Sequence, residues 1–251
     1  MPRTAIRFAI GLLLVIAALV ALAPATIVDA ALDARTRGAW RMADARGLWW
    51  RGRGVLASDD GRARMPIAWR VALRPVARGV LSVELDSGSD GARGTIDVRP
   101  GTLSLHGFEL RAPAALAAAL TPRGAALTIG GVLELHAAAF EWSPSGGTSG
   151  GSGALDAQWQ RARLVVAGTT VDLGTVALEL APRQGRLEGT VRNSGGELAV
   201  DGTIVGSGGS VDAALTLTAS SATPEALRRT LPMLGAQDAA GAVHLAWHGG
   251  R

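Results

Sequence analysis

The side chains best suited to chemistry are four histidines, His106, His136, His244 and His248. His244 and His248 are four apart, the spacing that brings two imidazoles together on one helical turn to hold zinc. Their neighbours alternate instead, with Val243, Leu245 and Trp247 between and around the two rings. That period of two predicts a strand, in which the rings share a face but stand well apart. No H-E-x-x-H run is present, so the histidines read as exposed strand residues. Gly147-Thr148-Ser149-Gly150-Gly151 matches G-x-S-x-G inside a Gly/Ser tract. A nucleophile elbow needs a strand before its serine and a helix after it, and this tract predicts neither. Gly150-Gly151-Ser152-Gly153 followed by Asp156 has its aspartate one position late for a calcium-binding nonapeptide, and there is no second copy. Asp86 to Asp90 lacks the alternating oxygen ligands of an EF-hand loop.

Composition narrows the chemistry further. There is no Cys, which excludes disulfides, thiolate metal sites and Cys nucleophiles. There is no Lys, so no G-x-x-x-x-G-K-[ST] phosphate loop is possible. The formal net charge is only +4, and the high pI of 11.1 reflects the use of Arg alone. The arginines are spread over strands and turns with no basic run interleaved with aromatics, which gives no nucleic-acid footprint. No catalytic residue, metal ligand or cofactor is expected, and the chain is not expected to be an enzyme.

The elements that remain are strands. Hydrophobic residues make up 48% of the chain but aromatics only 4%, so the core must be built of Ala, Val, Leu and Ile with a few Trp. The 34 glycines argue against long helices, because each interior Gly costs a helix roughly 1 kcal/mol relative to Ala. Period-two alternation recurs at Ile67-Trp69-Val71-Leu73, Leu81-Val83-Leu85, Ile96-Val98, Leu127-Ile129-Leu133-Leu135, Leu187-Val191, Leu198-Val200-Ile204 and Val211-Leu215-Leu217. Asp60-Gly61, Asp90-Gly91, Pro100-Gly101 and Asn193-Ser194-Gly195-Gly196 separate such runs as turns. At Gly107 and Gly174 the apolar phase flips, which predicts bulges and a strongly curved sheet. Two short helices are expected. One follows Pro113 over Ala114 to Leu120; the other has Thr223 as cap and Pro224 at its first position, with Leu227 and Leu231 one turn apart.

The amino terminus carries Arg3 and Arg7 before an apolar run from Phe8 that continues past Pro24 to Val28. About 20 apolar residues cross a bilayer, so residues 8–28 are expected to be a transmembrane signal-anchor. The leading arginines place residues 1–7 in the cytoplasm and residues 29–251 in the periplasm. A cleaved signal peptide ending at Ala23-Pro24-Ala25 is the competing reading. The tract Ser143 to Gly153 reads as a flexible loop that divides the exported domain into halves, 29–142 and 154–251, of similar strand content. The expected fold class is mainly β: a transmembrane helix, then a curved antiparallel sheet, meander- or sandwich-like, with one or two short helices.

From Pro24 onward the chain resembles the type II secretion system protein N (general secretion pathway protein N) family. Gly47-Leu48-Trp49-Trp50-Arg51-Gly52 is close to the family's G-T-L-W-x-G block, although Leu48 and Trp49 stand where Thr and Leu are usual. Ala39 to Ala45 looks like the preceding strand, Trp69 to Pro75 like the W-x-L-x-P segment, and Phe108 to Ala114 like the lead-in to a short helix. Leu234-Gly235-Ala236-Gln237-Asp238-Ala239-Ala240-Gly241 resembles the L-G-x-x-D-x-x-G close. The Gly/Ser loop looks longer than is typical.

The resemblance implies a bitopic inner-membrane protein that acts with other type II secretion subunits in moving folded proteins across the outer membrane. It transfers no catalytic residues. The motif residues Gly47, Trp50, Gly52, Trp69, Pro75, Gly235, Asp238 and Gly241 are expected to be structural, with Trp50 a core anchor and a partner-binding patch as the alternative. Docking by edge-strand pairing is one way such a sheet could hold a partner. A curved sheet with few large side chains also fits an AsmA-like periplasmic groove that binds or transfers lipid. A periplasmic hydrolase lacks a convergent nucleophile and base.

Overall fold

A computed structural model of the protein describes residues 22–72, 75, 79–88, 90–119, 128–143, 150–166, 169–207, 210–233 and 235–249. The strands predicted from period-two alternation are present, apart from Leu73 and Leu127, which lie outside the described residues. They form a single antiparallel sheet that follows chain order: β1 (Trp40–Leu48), β2 (Arg51–Ser58), β3 (Arg64–Ala72), β4 (Leu81–Asp86), β5 (Ala92–Arg99), β6 (Thr102–Pro113), β7 (Thr128–Trp142), β8 (Gly151–Gly153), β9 (Leu155–Val166), β10 (Thr169–Arg183), β11 (Arg186–Ser194), β12 (Leu198–Ser207), β13 (Ser210–Ala219), β14 (Ala236–Gln237) and β15 (Val243–Gly249). Each long strand pairs with the next, except that β15 lies between β13 and β14.

Alternation gives the sheet one apolar and one polar face, and the register lines each face up across the strands. Leu110, Leu135, Ala157, Leu178, Val191, Gly202, Leu215 and Leu245 are successive cross-strand partners from β6 to β15. One residue along each strand, Glu109, His136, Asp156, Glu179, Thr190 and Thr203 make the matching row on the polar face. The apolar face is the inner one. Flat strands three positions apart would lie about 14 Å from each other, yet Cα atoms of β3 and β6 approach within 8 Å. Leu85 on β4 and Leu187 on β11 accordingly pack on the same cluster of Leu105, Phe108, Ala137 and Phe140.

Glycines permit the curl. Gly107 has φ 54° and Gly174 has φ 69°, conformations that favour Gly. The ladder shifts register at Gly174 and, opposite Gly107, between Arg93 and Thr95. These are the two places where the apolar phase flips in the sequence. Within the Gly/Ser tract, Gly151–Gly153 form β8 on the end of β7. A Cβ on Gly153 would run into the Ala139 carbonyl, so only Gly allows this approach. Beyond it β9 pairs with β7, and the sheet runs through. Asn193, on the apolar side, donates from Nδ2 to the Leu173 and Leu198 carbonyls at 2.8 and 2.6 Å and accepts from the Val200 N–H at 2.6 Å. Its side chain thus replaces ladder bonds where the strands diverge.

Among the described residues three helices lie against the apolar face or its edge. α2 (Ala114–Ala119) puts Leu116, 2% exposed, among Met65, Trp69 and Val71. α3 (Glu225–Thr230) and the following 3-10 turn (Leu231–Met233) put Leu227 and Leu231 among Val171, Leu173 and Val243. Thr223 does not cap α3. Pro224 is the N-cap, and the Thr223 hydroxyl bonds the Glu197 carbonyl while accepting the Ser220 N–H at 2.8 Å. The long-range partner on the β11–β12 turn outcompetes the local cap.

The sequence reading missed α1 (Thr26–Thr36). Its start falls within the apolar run expected to be an anchor, which masked the boundary. Asp29 accepts the Met42 N–H at 2.7 Å and the Thr36 hydroxyl accepts the Trp40 N–H at 3.2 Å. The helix thereby occupies donors on the edge strand β1 that would otherwise invite another strand. Among the described residues no helix is long and apolar enough to cross a membrane. Most of the expected anchor, residues 8–28, lies outside the described residues. The part that is described, Leu22–Val28, folds onto the sheet: Pro24 bridges to Leu48, and Ala25 is buried.

Candidate functional site

All the motif residues but Pro75 gather at two hairpins. At the first, Leu48 pairs with Arg51, so Trp49 and Trp50 form the two-residue turn between β1 and β2. Gly47 has φ 100° and pairs with Gly52, which pairs in turn with Trp69 on β3. The Trp69 ring lies directly over Gly52: a Cβ there would stand 2.5 Å from Cζ2. Trp69 Nε1 donates to the Trp49 carbonyl at 2.9 Å, and the Val71 N–H donates to the Trp50 carbonyl at 2.6 Å. Two glycines and one large indole thus lock three strands together, in a cluster against which Trp40 and Trp49 also pack. Trp50 is half-buried against the same cluster. Pro75 follows β3 and accepts the Val80 N–H at 3.1 Å, away from the turn.

The second hairpin joins β14 to β15. Asp238 accepts the Ala240 and Ala242 N–H groups at 2.9 and 3.0 Å, and the His244 ring donates to its other oxygen at 3.0 Å. The His244 bond, followed by that from Ala242, holds the Asp238 carboxyl below its ordinary range. Gly241, at φ 84°, closes the turn onto the Asp238 carbonyl. Gly235 sits against β15, where a Cβ would lie 2.9 Å from Leu245. The sheet separates the two hairpins at opposite ends of its strand order.

Several of the remaining charged groups pair with one another on the outer face. Arg93 binds Glu109 at 2.5 Å, Arg111 binds Glu134 at 3.3 Å, and Gln160 donates to Glu134 at 2.6 Å. The two arginines and two glutamates line a shallow cleft of about 360 Å³ with His136 and Asp156, in which carboxylates meet arginines rather than a nucleophile. His106 lies by Asp97, His136 by Glu109 (shared with Arg93) and His248 by Asp212, so each histidine stands beside a carboxylate. Among the described residues no three His, Asp or Glu are grouped to hold a metal ion. Of the G-x-S-x-G match only Gly150 and Gly151 are described; its serine lies outside.

A larger open cleft, about 710 Å³, runs along the first hairpin. Arg46, Arg51, Arg53 and Arg70 line it together with Trp50, Trp69, Glu84 and Asp86. Sequence inspection found the tryptophans through the motif. It missed the arginines, because only the register brings β1, β2 and β3 side by side.

No curated protein matches the chain, and neither does any solved structure. The family model for type II secretion system protein N matches residues 38–246, from the start of β1 into β15 and through both hairpins. The order of blocks from the tryptophan turn to the Asp238 turn thus has its source in descent, and the chain belongs to the type II secretion system protein N family.

Proposed function

We propose that the protein is a non-catalytic, inner-membrane-anchored component of the type II secretion pathway, its sheet held in the periplasm of a Gram-negative envelope against other subunits of the machine. The family match over the whole sheet carries this reading. Supporting it, the motif residues serve backbone geometry or packing, and arginines on the outer face meet carboxylates at Arg93–Glu109, Arg111–Glu134 and Arg192–Asp201. The membrane anchor is the apolar run that begins at Phe8 and is led by Arg3 and Arg7. Deleting the gene in a strain that depends on this machine should leave exoproteins in the periplasm. Undiminished release would refute the role, and a reporter at Arg251 active only in the cytosol would refute the topology.

One observation favours a second reading, a lipid-holding groove. Helices α2 and α3 cover the apolar face at one end of the strands, but the other end is open. There Leu81, Val98, Val211 and Trp247 are 43%, 43%, 39% and 51% exposed on the apolar side. Acyl chains suit such a mouth. Mass spectrometry of the purified chain decides the matter: absence of copurifying phospholipid rules the groove out.

A further inference from the structure

We propose that the outer face at the β1–β2 turn is a docking patch for anionic phospholipid headgroups of the leaflet from which the chain emerges; this rests on the anchored topology above. The register sets like charges opposite each other here: Arg46 faces Arg53, and Arg51 faces Arg70. Such pairs destabilise a sheet. Elsewhere on this face arginines meet carboxylates, as in Arg93–Glu109, Arg111–Glu134 and Arg192–Asp201. The other Arg–Arg register pair, Arg183 with Arg186, has Glu188 3.9 Å from Arg183. In the patch Glu84 approaches Arg70 at 3.8 Å and Asp86 lines the same cleft, while Arg46, Arg51 and Arg53 are exposed and make no ion pair among the described residues. The opposed pair Arg46–Arg53 is thus left without a carboxylate partner, and a local rule broken without internal compensation marks a site for something external. Guanidinium groups fit phosphate oxygens bidentately.

Position supplies the second argument and names the occupant. The Ala25 N–H donates to the Gly47 carbonyl at 3.0 Å, and the Trp49 N–H donates to the Ala23 carbonyl at 3.1 Å. The chain therefore leaves the sheet toward its apolar amino terminus beside this turn. With Ala23–Ala25 tied to β1, the apolar run left for the bilayer is Phe8–Leu22. A helix of that length would span about 22 Å, against a hydrocarbon core of about 30 Å. In the anchored topology proposed above, so short a tether would hold the turn at the leaflet. Trp49 and Trp50 form that turn, and Trp favours the headgroup level.

The test uses the full chain in nanodiscs of phosphatidylcholine, with and without phosphatidylglycerol, and reads amide exchange over residues 46–53. Each arginine near an anionic surface shifts docking roughly fivefold. The wild-type turn should exchange several-fold more slowly in phosphatidylglycerol discs. The variant R46Q/R51Q/R53Q, which relieves the opposed charges and so keeps its fold, should lose about a hundredfold of the docking equilibrium and exchange alike in both. Equal wild-type rates in the two discs, with the chain resisting alkaline carbonate extraction, overturn the patch and leave the anchor standing; the arginines then serve another partner, such as an acidic protein. If carbonate releases the chain, the anchor fails. Sedimentation with phosphatidylglycerol vesicles then decides the patch: binding lost in the triple variant sustains it, and no binding overturns it.

Discussion

Gly52→Ala isolates the packing that joins the tryptophan turn to the sheet. Gly52 is not among the positive-φ glycines, so alanine fits its backbone and any loss must come from contact. The new Cβ would lie 2.5 Å from Trp69 Cζ2 and 2.9 Å from both Cη2 and the Arg46 carbonyl oxygen. Carbon atoms pack at about 3.5–4.0 Å, so the ring must retreat by about 1 Å. That stretches the 2.9 Å bond from Trp69 Nε1 to the Trp49 carbonyl out of range. Overpacking costs about 1–3 kcal/mol and the lost bond about 1 kcal/mol. The reduced freedom of the unfolded chain returns about 0.5–1 kcal/mol. The net is a loss of about 2 kcal/mol, or about 4–8 °C in the melting temperature of a chain this size. Thermal and urea unfolding of the full chain, followed by circular dichroism, measures it. Trp69→Ala should itself cost about 3–5 kcal/mol. Adding Gly52→Ala to that variant should cost less than it does in the wild type, since the ring it collides with is gone and only the contact with the Arg46 carbonyl remains. Additivity of the two losses to within about 0.5 kcal/mol would refute the ring-on-glycine account.

Three further outcomes follow from the same geometry. Leu116→Ala, which empties the site α2 fills beneath Trp69 and Val71, should destabilise by about 2–5 kcal/mol in urea titrations, whereas Leu81→Ser at the open end should stay within about 0.5 kcal/mol of wild type. Arg53→Glu places a carboxylate opposite Arg46 and should raise stability by about 0.2–1 kcal/mol; an unchanged unfolding midpoint would mean that the opposed arginines repel too weakly to matter. Asp238 has its pKa depressed by the His244 and Ala242 bonds, so its stabilising effect is present above the unfolded-state pKa and lost as pH falls through the lower folded value. The Ala240 and Ala242 amides should therefore keep their exchange protection at neutral pH and lose it in acid below the ordinary carboxylate range, and Asp238→Asn should flatten that dependence.

The sequence by itself determined what depends on near neighbours. Alternation set which side of each strand is apolar, because successive side chains point to opposite faces whatever the strand pairs with. The phase flips marked the bulges at Gly107 and Gly174, and the short helix after Pro113 was legible for the same local reason. The motif glycines and tryptophans were identifiable as family blocks with an expected structural role, although the contacts they make were not. Tertiary structure decided everything that register and curl control. Trp69 lies on Gly52 only because β2 and β3 pair with that offset. Thr223 abandons the helix cap for Glu197, twenty-six residues away. The first residues after the apolar run, which looked continuous with it, leave it to wrap the β1 edge through Asp29 and Thr36. The opposed arginines at the turn come from three strands, so no window along the chain contains them. A strand's pattern says which face a residue occupies; only the pairing of distant strands says what it meets there, and that choice is made by the energy of the whole sheet.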